Sequence, residues 1–387
     1  MPATPFEFAT AGRIVFGAGR VTEAIPAAKQ MGSRVLLVTG KSSERTVEFE
    51  KGLAAAGLFC LAVRVDGEPT VPVVSYAAQL AFDAGCDIVI AIGGGSAIDA
   101  GKAIAALLTN RSDLLDYLEV IGRGRMLEHP PAPWIAIPTT AGTGAEVTRN
   151  AVLASPEHRV KVSLRSPFLL ASLAIVDPEL TRDLPAQLTA TSGLDALTQL
   201  MEAYASVRGN PMTDSLCLDG LPRAARALPR AFQDGSDIDA RTDMALASLL
   251  SGLALANAGL GAVHGFAGPI GGMFAAPHGA VCAALLPHAT RVNIEALRKR
   301  QPDGEALRRY ETMARILTGN PHAGAGELGP SINDLCQRLQ VAGLGRYGVQ
   351  ESHATELCAG AARASSMKSN PIVLTNEELT EILLRSL

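Results

Sequence analysis

The stretch Ala91-Ile92-Gly93-Gly94-Gly95-Ser96-Ala97-Ile98-Asp99-Ala100-Gly101-Lys102 carries the strongest chemical signal in the chain. An apolar run feeds three glycines, and a helical pattern follows with no spacer. Glycines let a phosphate approach the backbone closely and permit positive φ angles. A helix start then offers unpaired N–H groups and a positive dipole end to a pyrophosphate. Ser96 is placed to cap that helix and to bond a phosphate oxygen. Three consecutive glycines are costly to order, which favours a ligand-bearing loop over an empty turn. The pattern is neither GxGxxG nor a Walker loop. A second signal is Asp195, set in the apolar run Leu194-Asp195-Ala196-Leu197. An unpaired buried carboxylate is expensive, so a metal or a hydrogen-bond donor is expected beside it.

These residues need elements to hold them. Short apolar runs at 13–16, 34–39, 61–65, 87–92, 134–137 and 173–176 read as strands. Helical patterns lie between them near 21–31, 46–56, 74–84 and 97–108. Apolar strands alternating with helices imply a parallel sheet covered on both faces. From about 187 onward the pattern is helical and alanine-rich, with turns at Gly209-Asn210-Pro211, Asp234-Gly235-Ser236 and Gly319-Asn320-Pro321, and it contains no convincing strand. The expected organisation is an α/β domain over 1–183 and an all-α domain over 184–387. Within the second, 245–258 is apolar nearly all round and is expected to be a central buried helix.

Composition narrows the classes. The chain has 387 residues, 48% of them hydrophobic and 19% charged, which suits two folded domains and not disorder. Its net charge of -4 comes without a basic stripe, so nucleic acid is not expected as a partner. The N-terminal residues lack a basic segment followed by an apolar run, and no apolar stretch is long enough to span a bilayer. Six scattered cysteines (60, 86, 217, 282, 336 and 358) form no CxxC pair. They read as small buried hydrophobes in a reducing compartment, with the cytoplasm as the expected location.

Several motifs fall together in order. The glycine stretch is followed by Ile137-Pro138-Thr139-Thr140-Ala141-Gly142-Thr143-Gly144-Ala145-Glu146-Val147-Thr148, then Ile175-Val176-Asp177-Pro178, Ser192-Gly193-Leu194-Asp195-Ala196-Leu197 and Ala276-Pro277-His278-Gly279. In this the chain resembles the iron-containing (group III) alcohol dehydrogenase family over nearly its whole length. The resemblance implies a Rossmann-like, dehydroquinate-synthase-like α/β domain that binds NAD(P), and an all-helical domain that binds metal and substrate across a cleft. It implies hydride transfer between the nicotinamide and a small alcohol or carbonyl compound, in a homodimer or larger homo-oligomer. Gly94, Gly95, Ser96, Asp99 and Lys102 would serve the cofactor phosphates. Thr139, Thr140 and Thr143 would line the nucleotide path, where small hydroxyls act as compact donors. Asn150 and Lys161 would touch the ribose and phosphates near the nicotinamide. At the end of the second strand, Gly40 stands where an acidic residue would bond a ribose 2′-hydroxyl. Lys41, Ser42 and Ser43 follow, which leaves room and positive charge and leans the expectation to NADP.

The family holds one divalent metal, Fe2+ or Zn2+, through an Asp and three His. The positions that match are Asp195, Gln199, His264 and His278, with Asp195, His264 and His278 also the expected catalytic groups. Gln199 departs from the pattern, since an amide oxygen is a weaker ligand than imidazole for iron or zinc. Gly268 departs as well, because many relatives carry a histidine there that is credited with proton relay. Two mechanisms stay open: a metal acting as Lewis acid, or a metal-free site with His264 or His278 as acid and base. The segment 271–289 also resembles the maleylacetate reductase branch, which works without metal. A dehydroquinate-synthase-type lyase and a non-catalytic cofactor-binding protein are the weaker alternatives. His288 reads as structural, and His129, His158, His322 and His353 as surface residues.

Overall fold

A computed structural model describes residues 5–41 and 43–387, with 43–46 described by their backbone alone. The chain divides into two compact units. One comprises Ala9–Thr140 with Gly144–Thr181, and the other Arg182–Leu387 with Ala141–Thr143 and the N-terminal segment ending at Phe8.

The α/β unit contains strands β1 (Ile14–Phe16), β2 (Arg34–Thr39), β3 (Phe59–Arg64), β4 (Ile88–Gly93), β5 (Trp134–Pro138), β6 (Asn150–Ser155), β7 (Val160–Arg165) and β8 (Leu173–Val176). Six of them form one parallel sheet in the order β1-β8-β5-β4-β2-β3. Strands β4, β5 and β8 are buried at every position, as expected of a sheet covered on both faces. Helices α1 (Ala24–Met31) and α2 (Ser43–Ala55) supply Ala24, Ala28 and Leu53 to a core with Val35, Leu37, Ile88, Ile90 and Ile135. Helices α3 (Val71–Asp83) and α4 (Gly95–Thr109) pack on each other, α4 also lying against β4 and β5, and a short α5 follows (Leu114–Tyr117).

The strand order places the chemistry. After β2 the chain steps outward to β3, then returns to lay β4 on the other side of β2. Such a reversal opens a crevice at the carboxyl ends of the two strands, where ligands of open α/β sheets bind. Gly40 follows β2, Gly94 follows β4, and Thr139 follows β5 beside it. Asp177, just past β8, accepts from the Gly19 and Val21 amides and so fixes the segment after β1 to the end of the neighbouring strand β8.

Strands β6 and β7 form an antiparallel hairpin that the sequence reading did not anticipate. Its buried positions alternate (Ala151, Leu153 and Ser155 against Val162 and Leu164), yet too few of them are large for a clear period-two signal. What ties this hairpin down is Lys102, a fully buried lysine on α4. Its ammonium donates to Ala145 O (2.9 Å), Thr148 Oγ1 (2.9 Å) and Asn150 O (2.7 Å). Those three bonds use all the donors that an ammonium has. Asp99, one turn earlier, accepts from the Val152 amide at 3.0 Å.

The second unit is all helical among the described residues: α6 (Ala186–Ala205), α7 (Pro211–Gln233), α8 (Ile238–Ala258), α9 (Ala262–Met273), α10 (His278–Arg300), α11 (Glu305–Thr318), α12 (Leu328–Arg338), α13 (Ala354–Arg363) and α14 (Asn376–Arg385). Helix α6 is its axis, buried almost continuously from Thr189 to Ala205. Leu194, Leu197 and Leu200 meet Leu221 and Leu228 of α7, Met244 and Ala247 of α8, and Leu285 of α10 in one core. The apolar run 245–258 is indeed buried within α8, with Ser251 among its buried polar residues. No single helix among the described residues is long and apolar enough to cross a membrane, although the pair α8 and α9, bent by 97°, passes on length and composition together.

Replacing Lys102 with Met tests its structural role. The change removes the partner of a buried carboxylate and three hydrogen bonds, so the cofactor-free protein should lose about 3 kcal/mol or more in urea denaturation. A side chain serving only bound phosphate would leave that stability unchanged and raise the cofactor KM instead.

Candidate active site

Helix α4 begins at Gly95, and Gly94 occupies its N-cap with no side chain bonded across it. Ser96 is therefore the second residue of the helix and not its cap, which leaves the first-turn amides available. A glycine is needed at 93: a Cβ there would lie 2.6 Å from the Ala97 Cβ and 3.2 Å from the Gly40 amide nitrogen. The same close approach brings the ends of β2 and β4 together around the loop. Thr139 donates its amide to Gly93 O at 2.8 Å, and Thr140 lies against Gly94. Gly40, Gly94, Gly95, Thr139 and Thr140 thus adjoin one another at the start of α4, where a helix N-terminus can receive an anion.

Other residues expected at the cofactor have protein partners in this structure. Lys102 is sealed beneath the loop by the three bonds described above. Burial pushes the Asp99 carboxyl up to about 6 against the pull of Lys102, whose Nζ lies 3.7 Å away. Lys161 is nearly buried and pairs with Glu68 at 2.8 Å. Asn150 gives its carbonyl to Lys102. Lys102 and Asp99 hold the hairpin to α4, and the Lys102 ammonium has no donor left for a phosphate. Thr143 belongs to the segment grouped with the helical unit. Gly40 has open space around it and Lys41 is exposed, whereas Ser42 and the Ser43 side chain lie outside the described residues.

In the helical unit, Asp195 and Glu202 project from α6 two turns apart. His264 stands in the first turn of α9, and His278 opens α10. One ligand atom from each of Asp195, His264, His278 and Cys282 falls within 4.8 Å of all the others. His264 Nε2 is 3.3 Å and His278 Nε2 is 3.7 Å from Asp195 Oδ1, and the two rings lie 5.4 Å apart. Asp195 Oδ1 is buried and makes no aligned hydrogen bond, although two imidazole nitrogens flank it. Lone pairs are thus turned toward a shared centre, the arrangement that a cation completes. Asp195, His264 and His278 fit a divalent metal by donor type and by this orphaned oxygen.

Glu202 organises the site from behind. One carboxylate oxygen accepts from the Val263 amide and the other pairs with His264 Nδ1, each at 2.7 Å. With its proton held on Nδ1, His264 presents the Nε2 lone pair to the centre. A Cβ at Gly261 would fall 2.9 Å from Glu202 Oε1 and 2.8 Å from Asn370 Oδ1, so only glycine lets α9 start this close. Asn370 in turn accepts from the Ala262 amide and donates to Asn293 on α10.

The charges are strongly coupled. Burial opposes ionisation of Asp195, but His278 and His264 outweigh it and hold the carboxyl below its usual range. Burial likewise opposes the thiolate of Cys282, and the same imidazoles reverse the direction. The Cys282 thiolate, with Asp195 in support, pushes His278 up to about 9 against the desolvation cost. His264 also rises: burial is overcome by Cys282, Asp195 and Glu202.

Gln199, expected as a ligand, has its side-chain oxygen 2.7 Å from the Ser251 hydroxyl on α8. The fourth donor in the cluster is Cys282, one turn beyond His278, which sequence reading had grouped with inert buried thiols. The spacing of His278 and Cys282, four residues on one helix, was the available signal. Gly268 has open space where a relay histidine would sit. His353 is half-buried with its ring edge on Phe274, whereas His129, His158 and His322 are exposed.

Two family models cover nearly the entire chain. The model for iron-containing alcohol dehydrogenase matches residues 11–178, and that for the Fe-containing alcohol dehydrogenase family, C-terminal, matches 189–387. Among curated proteins, a 4-hydroxybutyrate dehydrogenase of Cupriavidus necator is 35% identical over 350 residues, covering 87% of this chain and 88% of its own. An NAD-dependent methanol dehydrogenase of Bacillus methanolicus is 31% identical, covering 96% and 97%. Among solved structures, a 1,3-propanediol oxidoreductase superposes with a TM-score of 0.90 at 31% identity, over 99% of this chain and 100% of its own.

Replacing Glu202 with Gln should weaken metal binding about 10–100-fold. Its two oxygens accept from two different donors, and an amide has only one oxygen to offer. Competition dialysis against a chelator of known affinity, run on both proteins, measures the change.

Proposed function

The chain belongs to the iron-containing alcohol dehydrogenase family, and from that premise we propose that it moves hydride between a nicotinamide dinucleotide and a small primary alcohol or its aldehyde, with a divalent metal at Asp195, His264 and His278. The convergence of those three side chains is the observation that carries the reading. Relatives named for 4-hydroxybutyrate and 1,3-propanediol support a short substrate with a second polar group at its far end.

The residues divide the work. First-turn amides of α4 and the backbone of Gly94 hold the pyrophosphate, which needs no lysine because the helix dipole supplies the positive potential. When bound, the divalent metal supplies Lewis-acid polarisation of the substrate oxygen. Asp195 contributes the single carboxylate charge, and Glu202 keeps His264 in the tautomer that faces the centre. The side chain of His278 is 36% exposed while those of Asp195 and His264 are 2% and 8%, so substrate approaches on the His278 side. No side chain occupies the position of Gly268, and the alcohol proton leaves through solvent there.

For the carrier, the support for NADP is local. Gly40 presents no carboxylate to a 2′-phosphate, and the exposed Lys41 offers a cation beside it. Replacing Lys41 with Asp should lower kcat/KM for NADP(H) relative to NAD(H) by about tenfold, roughly 1.4 kcal/mol. An unchanged ratio would remove the basis for that preference.

The main test follows reduced-nicotinamide absorbance with a panel of short alcohols, diols, hydroxy acids and their aldehydes. Turnover should require divalent metal, and His278→Ala should lower kcat/KM by more than about 100-fold, since a lost ligand outweighs a lost ligand support. Full activity after chelation would instead favour the metal-independent reductase chemistry of the maleylacetate type.

A further inference from the structure

We propose that Cys282 is a metal ligand in this chain, so that the site is Asp195, His264, His278 and Cys282 and Gln199 is not part of it. The inference rests on the divalent-metal reading above and deepens it. Cys282 is completely buried, and its sulfur lies 3.6 Å from His278 Nε2 and 3.8 Å from His264 Nε2. Those are the same two atoms that flank Asp195 Oδ1 at 3.3 and 3.7 Å. A tetrahedral zinc site, with N and O ligands near about 2.1 Å and sulfur near about 2.3 Å, has ligand-to-ligand edges of about 3.3–3.6 Å. The four measured edges match that figure within a few tenths of an ångström.

Local structure explains why the cysteine and not the glutamine completes the set. His278 and Cys282 are four residues apart on α10, so both project from one face into the same space. Gln199 shares that relation with Asp195 on α6, yet its Oε1 lies 2.7 Å from the Ser251 hydroxyl, which shares its single proton between that oxygen and Ser248 O at 2.8 Å. An amide oxygen so engaged, and neutral, competes poorly with a thiolate for a divalent ion. On binding, the Cys282 thiol and any protonated imidazole of His264 and His278 give up their protons to solvent, and the ligand set of one carboxylate, one thiolate and two neutral imidazoles carries two negative charges against the two of the cation. A sulfur donor also tilts preference toward zinc, which tolerates thiolate well, and away from oxygen-preferring ions.

The test uses the full-length protein, stripped of metal and titrated with Co2+ under anaerobic conditions. One equivalent should bring up the intense near-ultraviolet thiolate-to-cobalt charge-transfer band together with the visible bands of four-coordinate cobalt. Cys282→Ser should abolish the charge-transfer band and weaken cobalt binding at least tenfold, and Gln199→Leu should leave the band in place. As a measurement free of variants, X-ray absorption of the zinc-loaded wild type should show one sulfur at about 2.3 Å beside nitrogen and oxygen at about 2.0–2.2 Å. Stoichiometric cobalt without the band, a band that survives Cys282→Ser, or a zinc shell without sulfur overturns the proposal. Dehydrogenase turnover, followed separately, would be untouched by those three outcomes, so the ligand assignment can fail while the activity stands.

Discussion

A carboxylate in the middle of a buried helix is tolerable only where opposite charge meets it, and Asp195 sets that condition for every helix around it. Helix α6 has no exposed face at this level through which water could solvate the group. Compensation has to come from α9 and α10, whose N-terminal turns bring His264 and His278 to it. Because those helices must start at one depth, their starts are held by polar contacts: Glu202 and Asn370 for α9, and the Pro277 turn for α10. The buried polar groups in this region are therefore linked, each one satisfying a donor that the next one exposes.

The same logic runs through the α/β unit with the sign reversed. There the buried cation is Lys102, and three oxygens from the loop at 145–150 meet it. Lys102, which by sequence would look like a phosphate ligand, holds the hairpin against α4, and in the proposed reading the pyrophosphate is met by backbone amides and a helix dipole. An anion site made of backbone is insensitive to side-chain rotamers and presents the same geometry in every copy of the chain.

Much of this was legible in the sequence. The strands of the parallel sheet stand out as continuous apolar runs, and GGGSAIDAGK marks the tight passage from β4 into α4 because glycine at 93 has no room for a Cβ. Asp195, His264 and His278 were identifiable through motifs in register with a family pattern. What was not legible shares one property: residue type does not reveal direction. Lys102 and Lys161 carry the same charge whether they face a ligand or the interior. Cys282 has no cysteine partner in sequence, and its neighbours come from helices 18 and 87 residues away by chain position, counting to His264 and Asp195. Ser251, which engages Gln199, lies in an apolar helix where nothing signals its role. The β6–β7 hairpin escaped notice because small residues blur its alternation.

One feature of the sheet bears on how the molecule comes to exist. Strand β1 lies at the edge and pairs only with β8, Ile14 matching Ala174. During synthesis β1 emerges first, yet its partner is made after every other strand of the sheet. Closing a loop of that length adds only slowly growing entropy cost, but it delays the contact. Until then an apolar strand with a bare hydrogen-bonding edge is open to pairing with another nascent chain. By chain order the sheet thus grows from its β2–β3 edge across β4, β5 and β8, and the first of its strands to be made is the last to find its partner.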